Sequence, residues 1–141
     1  MVNRDVVAAK LADLAFRVGR ARRHAKASSA ELAADPDALD LVAFNLMLAV
    51  QICADIASHV IADSGWPSAR TLAEGFASLG DHGVLTSTTA EALGRAAGLR
   101  NVVAHGYAAV DVSLVHAAAT SGLRDLDSFA RELADWLSRQ H

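Results

Sequence analysis

The sequence is poor in everything that staples, breaks or anchors a chain. Cys53 is its only cysteine, so no internal disulfide and no cysteine-ligated zinc site can form. Two prolines, Pro36 and Pro67, and 5% aromatic residues leave little room for a β-sandwich or barrel. No uninterrupted apolar run approaches the roughly 20 residues of a membrane span. The most apolar stretch, 39–61, is interrupted by Asp40, Asn45, Gln51, Asp55 and His59. The first residues, Met1 to Arg4, lead into an amphipathic pattern rather than the apolar core of a signal peptide. Charged residues are 21% against 52% hydrophobic, which excludes a disordered chain. A length of 141 residues suits one domain, expected over 1–141, that needs no metal or disulfide to hold its core. A reducing cytoplasm is the expected setting.

What the chain does have is alanine and helical periodicity. After a cap at Asn3 or Asp5, Val7, Leu11, Leu14, Val18, Ala21 and Ala25 recur at three- and four-residue steps. Ser28, Ser29 and Glu31 resemble a second cap, and Asp35-Pro36 opens a long helix to about Asp63. That helix carries two stripes. One is Leu39, Val42, Leu46, Val50, Cys53, Ile56 and Val60, and the other is Leu41, Phe44, Leu48, Ile52 and Ile56. It is therefore expected to be the central, most buried element, with Phe16, Phe44, Phe76 and Phe129 in the core. A short helix follows over 69–79, ending at Gly80. The run Thr86 to Thr89 caps a fourth helix through Ala104, helped by Glu91. Asp111 or Ser113 caps the last, whose stripe from Val115 to Leu137 crosses Gly122 without losing phase. The expectation is an all-α, up-and-down bundle of about five helices.

Charge is uneven. Residues 1–26 hold seven Lys+Arg against Asp5 and Asp13, or +5, and the remainder holds six Arg against fourteen acids, or −8. A basic first helix can attract a phosphate backbone, but a net acidic chain binds nucleic acid only at a local, small site.

The most informative segment is 99–107, Leu-Arg-Asn-Val-Val-Ala-His-Gly-Tyr. Asn101 and His105 lie four apart on one helix face. Arg100 falls in phase with Ala90, Leu93, Ala97 and Ala104, and a guanidinium on an apolar stripe must find a partner or an interface. These residue types suit phosphodiester transfer. Histidine moves a proton near neutral pH, and arginine offsets charge on the phosphate. With RNA, the substrate's own 2′-OH can serve as nucleophile, so neither metal nor protein nucleophile is needed. Periodicity alone also allows a dipole-stabilised histidine cap and a structural arginine ion pair. On the preceding long helix, Asp55 and His59 lie one turn apart. They can form a polar layer that positions Arg100, with Asp55 as its counter-ion, or a buried pair that fixes packing. The spacing of Asp55, His59 and His105 does not demand a metal.

Arg100-Asn101-Val102-Val103-Ala104-His105-Gly106-Tyr107 resembles the Arg, four residues, His, one residue, Tyr motif of HEPN-domain toxins of the HepT type. The likeness extends over Phe44-Asn45, the stretch Gln51 to Ile61 with its Asp-Ile-Ala-Ser-His, and 76–85. The resemblance implies the toxin of a type VII toxin–antitoxin pair. It would be a metal-independent endoribonuclease on tRNA or other RNA, using no cofactor and no membrane, whose homodimer brings two motifs into one cleft. His105 would be the general acid/base and Arg100 would stabilise the phosphate transition state. Asn101 would support the site. Tyr107 would be the tyrosine that the partner antitoxin, a minimal nucleotidyltransferase, modifies with AMP. The alternative is a non-catalytic HEPN module that binds a nucleotide or docks a nucleotidyltransferase.

Overall fold

Asn3 opens the first helix. Its side-chain oxygen accepts from the backbone N–H groups of Asp5 and Val6, and α1 runs Arg4–His24 with Val7, Leu14, Val18 and Ala21 buried. The computed structural model describes residues 2–105 and 111–140, leaving aside the side chains of 102–105. These residues form six further helices: α2 (Ser29–Ala33), α3 (Pro36–Ser64), α4 (Leu72–Asp81), α5 (Ser87–His105), α6 (Val112–Ala119) and α7 (Leu123–Ser138). No strand occurs among the described residues, so the fold is the all-α bundle its patterning demands.

Each boundary has a local cause. Ser28, Asp35, Thr71 and Asp111 cap α2, α3, α4 and α6 by accepting backbone N–H bonds, which satisfies donors that a helix start leaves free. α3 stops at Gly65, whose φ of 72° lets its N–H and that of Trp66 return to the carbonyls of Ala62 and Ile61.

α3 is the axis of the bundle. α1 lies antiparallel along it. The Asn3 backbone N–H donates to Asp63 at 3.1 Å, the Lys10 ammonium stands 4.0 Å from Asp55, and Arg17 donates to Asn45 at 3.1 Å. On other faces α3 packs against α4, α5 and α6, and α7 closes the core, where Phe76 meets Phe129 edge to face at 6.1 Å. By length and composition α3 could cross a membrane, yet 56% of its most apolar window is buried inside the protein.

Two sequence expectations need correction. The final stripe is not one helix. Thr120 donates to the His116 carbonyl at 2.8 Å and Ser121 to that of Ala117 at 3.3 Å, so hydroxyls occupy the acceptors that helical N–H groups would use. The chain restarts at Gly122, where a Cβ would stand 2.8 Å from the Ala118 backbone. The stripe keeps its phase across this turn because both pieces cover the same core. Nor are all four phenylalanines core residues. Phe76 and Phe129 are fully buried, but Phe16 is 55% and Phe44 51% exposed. Phe16 lies opposite the buried stripe of α1, under the guanidinium groups of Arg17 and Arg20 at 5.2 and 5.9 Å. Phe44 lies on the one face of α3 that no neighbouring helix covers.

The start of α5 is capped locally by Thr86, whose hydroxyl accepts from the Thr89 backbone N–H at 3.2 Å, and also from a distance. Glu132 on α7 accepts from the Thr86 backbone N–H at 2.6 Å and from the Thr89 hydroxyl at 2.5 Å, a role that sequence spacing assigned to Glu91. Burial opposes the charged form, but the bonds from Thr86 and Thr89 outweigh it and hold the carboxyl below its ordinary range. Its contribution to stability is therefore present above the unfolded carboxyl value near 4.3 and is lost as pH falls through the lower folded value. Glu132→Gln should cost about 1–3 kcal/mol at pH 7. The gap to the parent in thermal unfolding should close as the scan moves from pH 7 towards pH 3.

Candidate active site

The polar residues of α5 converge on α3. Arg100 lies near the C-terminal end of α5, half-buried, and its Nη2 donates to Gln51 Oε1 at 2.9 Å while Nη1 donates to Asn101 Oδ1 at 3.2 Å. Gln51 in turn donates through Nε2 to Asp55 Oδ1 at 3.0 Å, and Asp55 faces Lys10. A chain of contacts thus runs Lys10–Asp55–Gln51–Arg100–Asn101 across α1, α3 and α5.

Arg100 and Asn101, adjacent in sequence, meet through their side chains, whereas helical spacing pairs Asn101 with His105. Asp55 is in the same chain but is not the direct counter-ion of Arg100, because Gln51 stands between them. One turn further along α3, His59 is half-buried and outside the chain. The side chain of His105, together with Gly106 and Tyr107, lies outside the described residues, and α5 reaches His105 by its backbone. Gln51 is the residue that sequence reasoning missed. Its signal was the four-residue step to Asp55 on an otherwise apolar helix, a spacing that favours a side-chain hydrogen bond.

The electrostatics follow from these partners. No carboxylate pairs with Arg100 among the described residues, and its Nε is buried without a hydrogen-bond partner there. Such a guanidinium has no neutralising partner among the described residues and retains one N–H on each terminal nitrogen there for an anion. To one side lies an apolar cavity of about 350 Å³ between α3, α5, α6 and α7, bordered by Met47, Leu99, Arg95 and Arg100. To the other, a groove of about 280 Å³ between α1 and α3 is lined by Phe16, Arg17, Leu48, Gln51, Ile52 and Asp55. Gln51 therefore joins the arginine to the face that exposes Phe16. No group of three His, Cys, Asp or Glu side chains among the described residues stands close enough to hold a metal ion.

Solved structures share this all-α fold. The tri-AMPylated HEPN toxin of Shewanella oneidensis, in complex with MNT antitoxin, superposes with a TM-score of 0.86 at 21% identity, over 94% of this chain and 99% of that one. A toxin–antitoxin structure with AMP-PNP gives 0.86 at 21% over 93% and 98%. YutE of Bacillus subtilis, a cytosolic protein of unknown function, gives 0.83 at 12% over 96% and 91%. No curated protein matches the sequence. The family model for HepT-like ribonucleases matches residues 16–133, and the chain belongs to that family.

Proposed function

We propose that this protein is the toxin of a type VII toxin–antitoxin pair, a metal-independent endoribonuclease that cleaves tRNA or other RNA in the cytoplasm, with residues 1–141 acting as one domain. The observation that carries this reading is Arg100. It is a guanidinium without an ion pair among the described residues, held by two neutral acceptors at the end of α5 in a chain of the HepT-like ribonuclease family. Arg100 grips the scissile phosphate and offsets the charge that builds on it. His105, one turn and a residue further, takes the proton from the substrate's 2′-OH as that oxygen attacks phosphorus, and an imidazole returns a proton to the departing 5′-oxygen. Asn101 fixes the arginine fork from the side.

Two copies pair through the uncovered face of α3. Phe44 and Phe16 are large, exposed and on one side of the molecule as Leu48, Ile52 and Gln51, which fits a self-complementary interface. Because Gln51 touches both this face and Arg100, pairing there brings two arginines to one cleft.

The partner is a minimal nucleotidyltransferase that silences the toxin by adding AMP to Tyr107, two residues past His105. The similar HEPN toxin of Shewanella oneidensis, tri-AMPylated and in complex with MNT antitoxin, supports this reading. An anionic adduct at that position repels RNA phosphate. Incubation with a cognate minimal nucleotidyltransferase and ATP should raise the intact mass by AMP units on the parent chain. Tyr107→Phe should gain none, and equal addition to that variant would contradict the assignment.

A further inference from the structure

We propose that Gln51 is the positioning residue for Arg100, and that its neutrality keeps the guanidinium available for a phosphate. The proposal rests on the ribonuclease reading above. Gln51 presents its oxygen to Arg100 Nη2 at 2.9 Å and its amide nitrogen to Asp55 at 3.0 Å. Only one orientation of the amide satisfies both contacts. Rotated by half a turn, it would set N–H donors against the guanidinium and an oxygen against the carboxylate. Asp55, with Lys10 at 4.0 Å, therefore acts as the lock that aims Gln51. Both residues lie within the 29-residue α3, the helix on which α1, α4 and α5 pack, so the acceptor is fixed before substrate arrives.

The choice of an amide has a chemical consequence. A carboxylate at position 51 would form a forked ion pair with Arg100, and a phosphate would have to displace it. An amide dipole holds the same geometry and leaves the positive charge unneutralised, while the acid of the system, Asp55, stays one side chain away. Each terminal nitrogen of Arg100 spends one N–H, on Gln51 and on Asn101, and among the described residues its other N–H is left for the ligand.

The test uses the full chain, with steady-state cleavage of an RNA oligonucleotide and thermal unfolding measured side by side. Gln51→Glu, made together with Asp55→Asn so that the new carboxylate meets an amide and not a second carboxylate, should raise KM by about tenfold or more, the loss expected when a charged contact to phosphate is neutralised, while the unfolding midpoint does not fall. Gln51→Ala and Asp55→Ala should each impair cleavage, and the double variant should be no worse than Gln51→Ala, because Asp55 acts through Gln51. A purely structural role predicts the reverse: midpoints that drop additively with KM unchanged. Kinetic constants within about twofold of the parent in all variants would overturn the proposal. If the parent chain cleaves no RNA, the ribonuclease reading fails by itself, and the positioning is read from the NMR signal of Arg100 Nε–H. That signal should shift and broaden in Gln51→Ala and Asp55→Ala, and an unchanged signal in both would overturn it.

Discussion

Arg100→Ala should lower the cleavage rate by about 10²–10³-fold, the loss typical of removing one donor aimed at charge in the transition state. The fold should survive. Arg100 is only half-buried, and removing it relieves a buried Nε–H that finds no partner among the described residues, so no paired charge is left stranded. Arg100→Lys should recover part of the rate, since an ammonium restores the charge but not the fork that Gln51 and Asn101 orient. The measurement is single-turnover cleavage with excess enzyme, which separates the chemical step from product release. Wild-type rates in Arg100→Ala would remove the arginine from the mechanism.

Phe44→Glu, alone and with Phe16→Glu, should convert a dimer into a monomer and silence cleavage with it. Both rings are more than half exposed, so a charge there should change the stability of the isolated protomer by no more than about 0.5 kcal/mol. In a paired state, burying the exposed half of each ring contributes about 1 kcal/mol, and each new carboxylate would enter a water-excluded contact twice by symmetry. Light scattering on the eluting protein reads the mass, and the same fractions are assayed on RNA. A variant that stays dimeric places the pairing surface elsewhere.

How much of this was legible in the sequence depends on how far apart the cooperating residues lie. Asn3, Asp35 and Asp111 cap their helices by contacts two or three residues long, and such contacts follow from residue type and spacing, whereas α4, expected from 69, starts at Leu72 behind the Thr71 cap. The contact of Arg100 with Asn101 was not read this way, because spacing pairs Asn101 with His105. The partner that matters more to Arg100, Gln51, is 49 residues away, and Glu132 reaches Thr86 across 46. Periodicity carries no information at that range. Phe44 illustrates a second limit. Its stripe on α3 reads as core, and only the arrangement of α1, α4, α5 and α6 around that helix decides which face stays open. Phe16 could have been read correctly, since it never belonged to the stripe of Val7, Leu14 and Val18. The split between α6 and α7 was written in Thr120, Ser121 and Gly122, whose local hydrogen bonds a continuous stripe concealed.

The account turns on metal-free cleavage by the motif at the end of α5. Purified parent protein and His105→Ala, prepared identically, are incubated with a single-stranded RNA in excess EDTA, and the new ends are identified. The parent should cut, leaving a 2′,3′-cyclic phosphate and a 5′-hydroxyl, and His105→Ala should be slower by about 10²–10⁴-fold with its fold unchanged. Equal cleavage by the two proteins, or cleavage by the parent that stops when the metal is removed, would contradict the account.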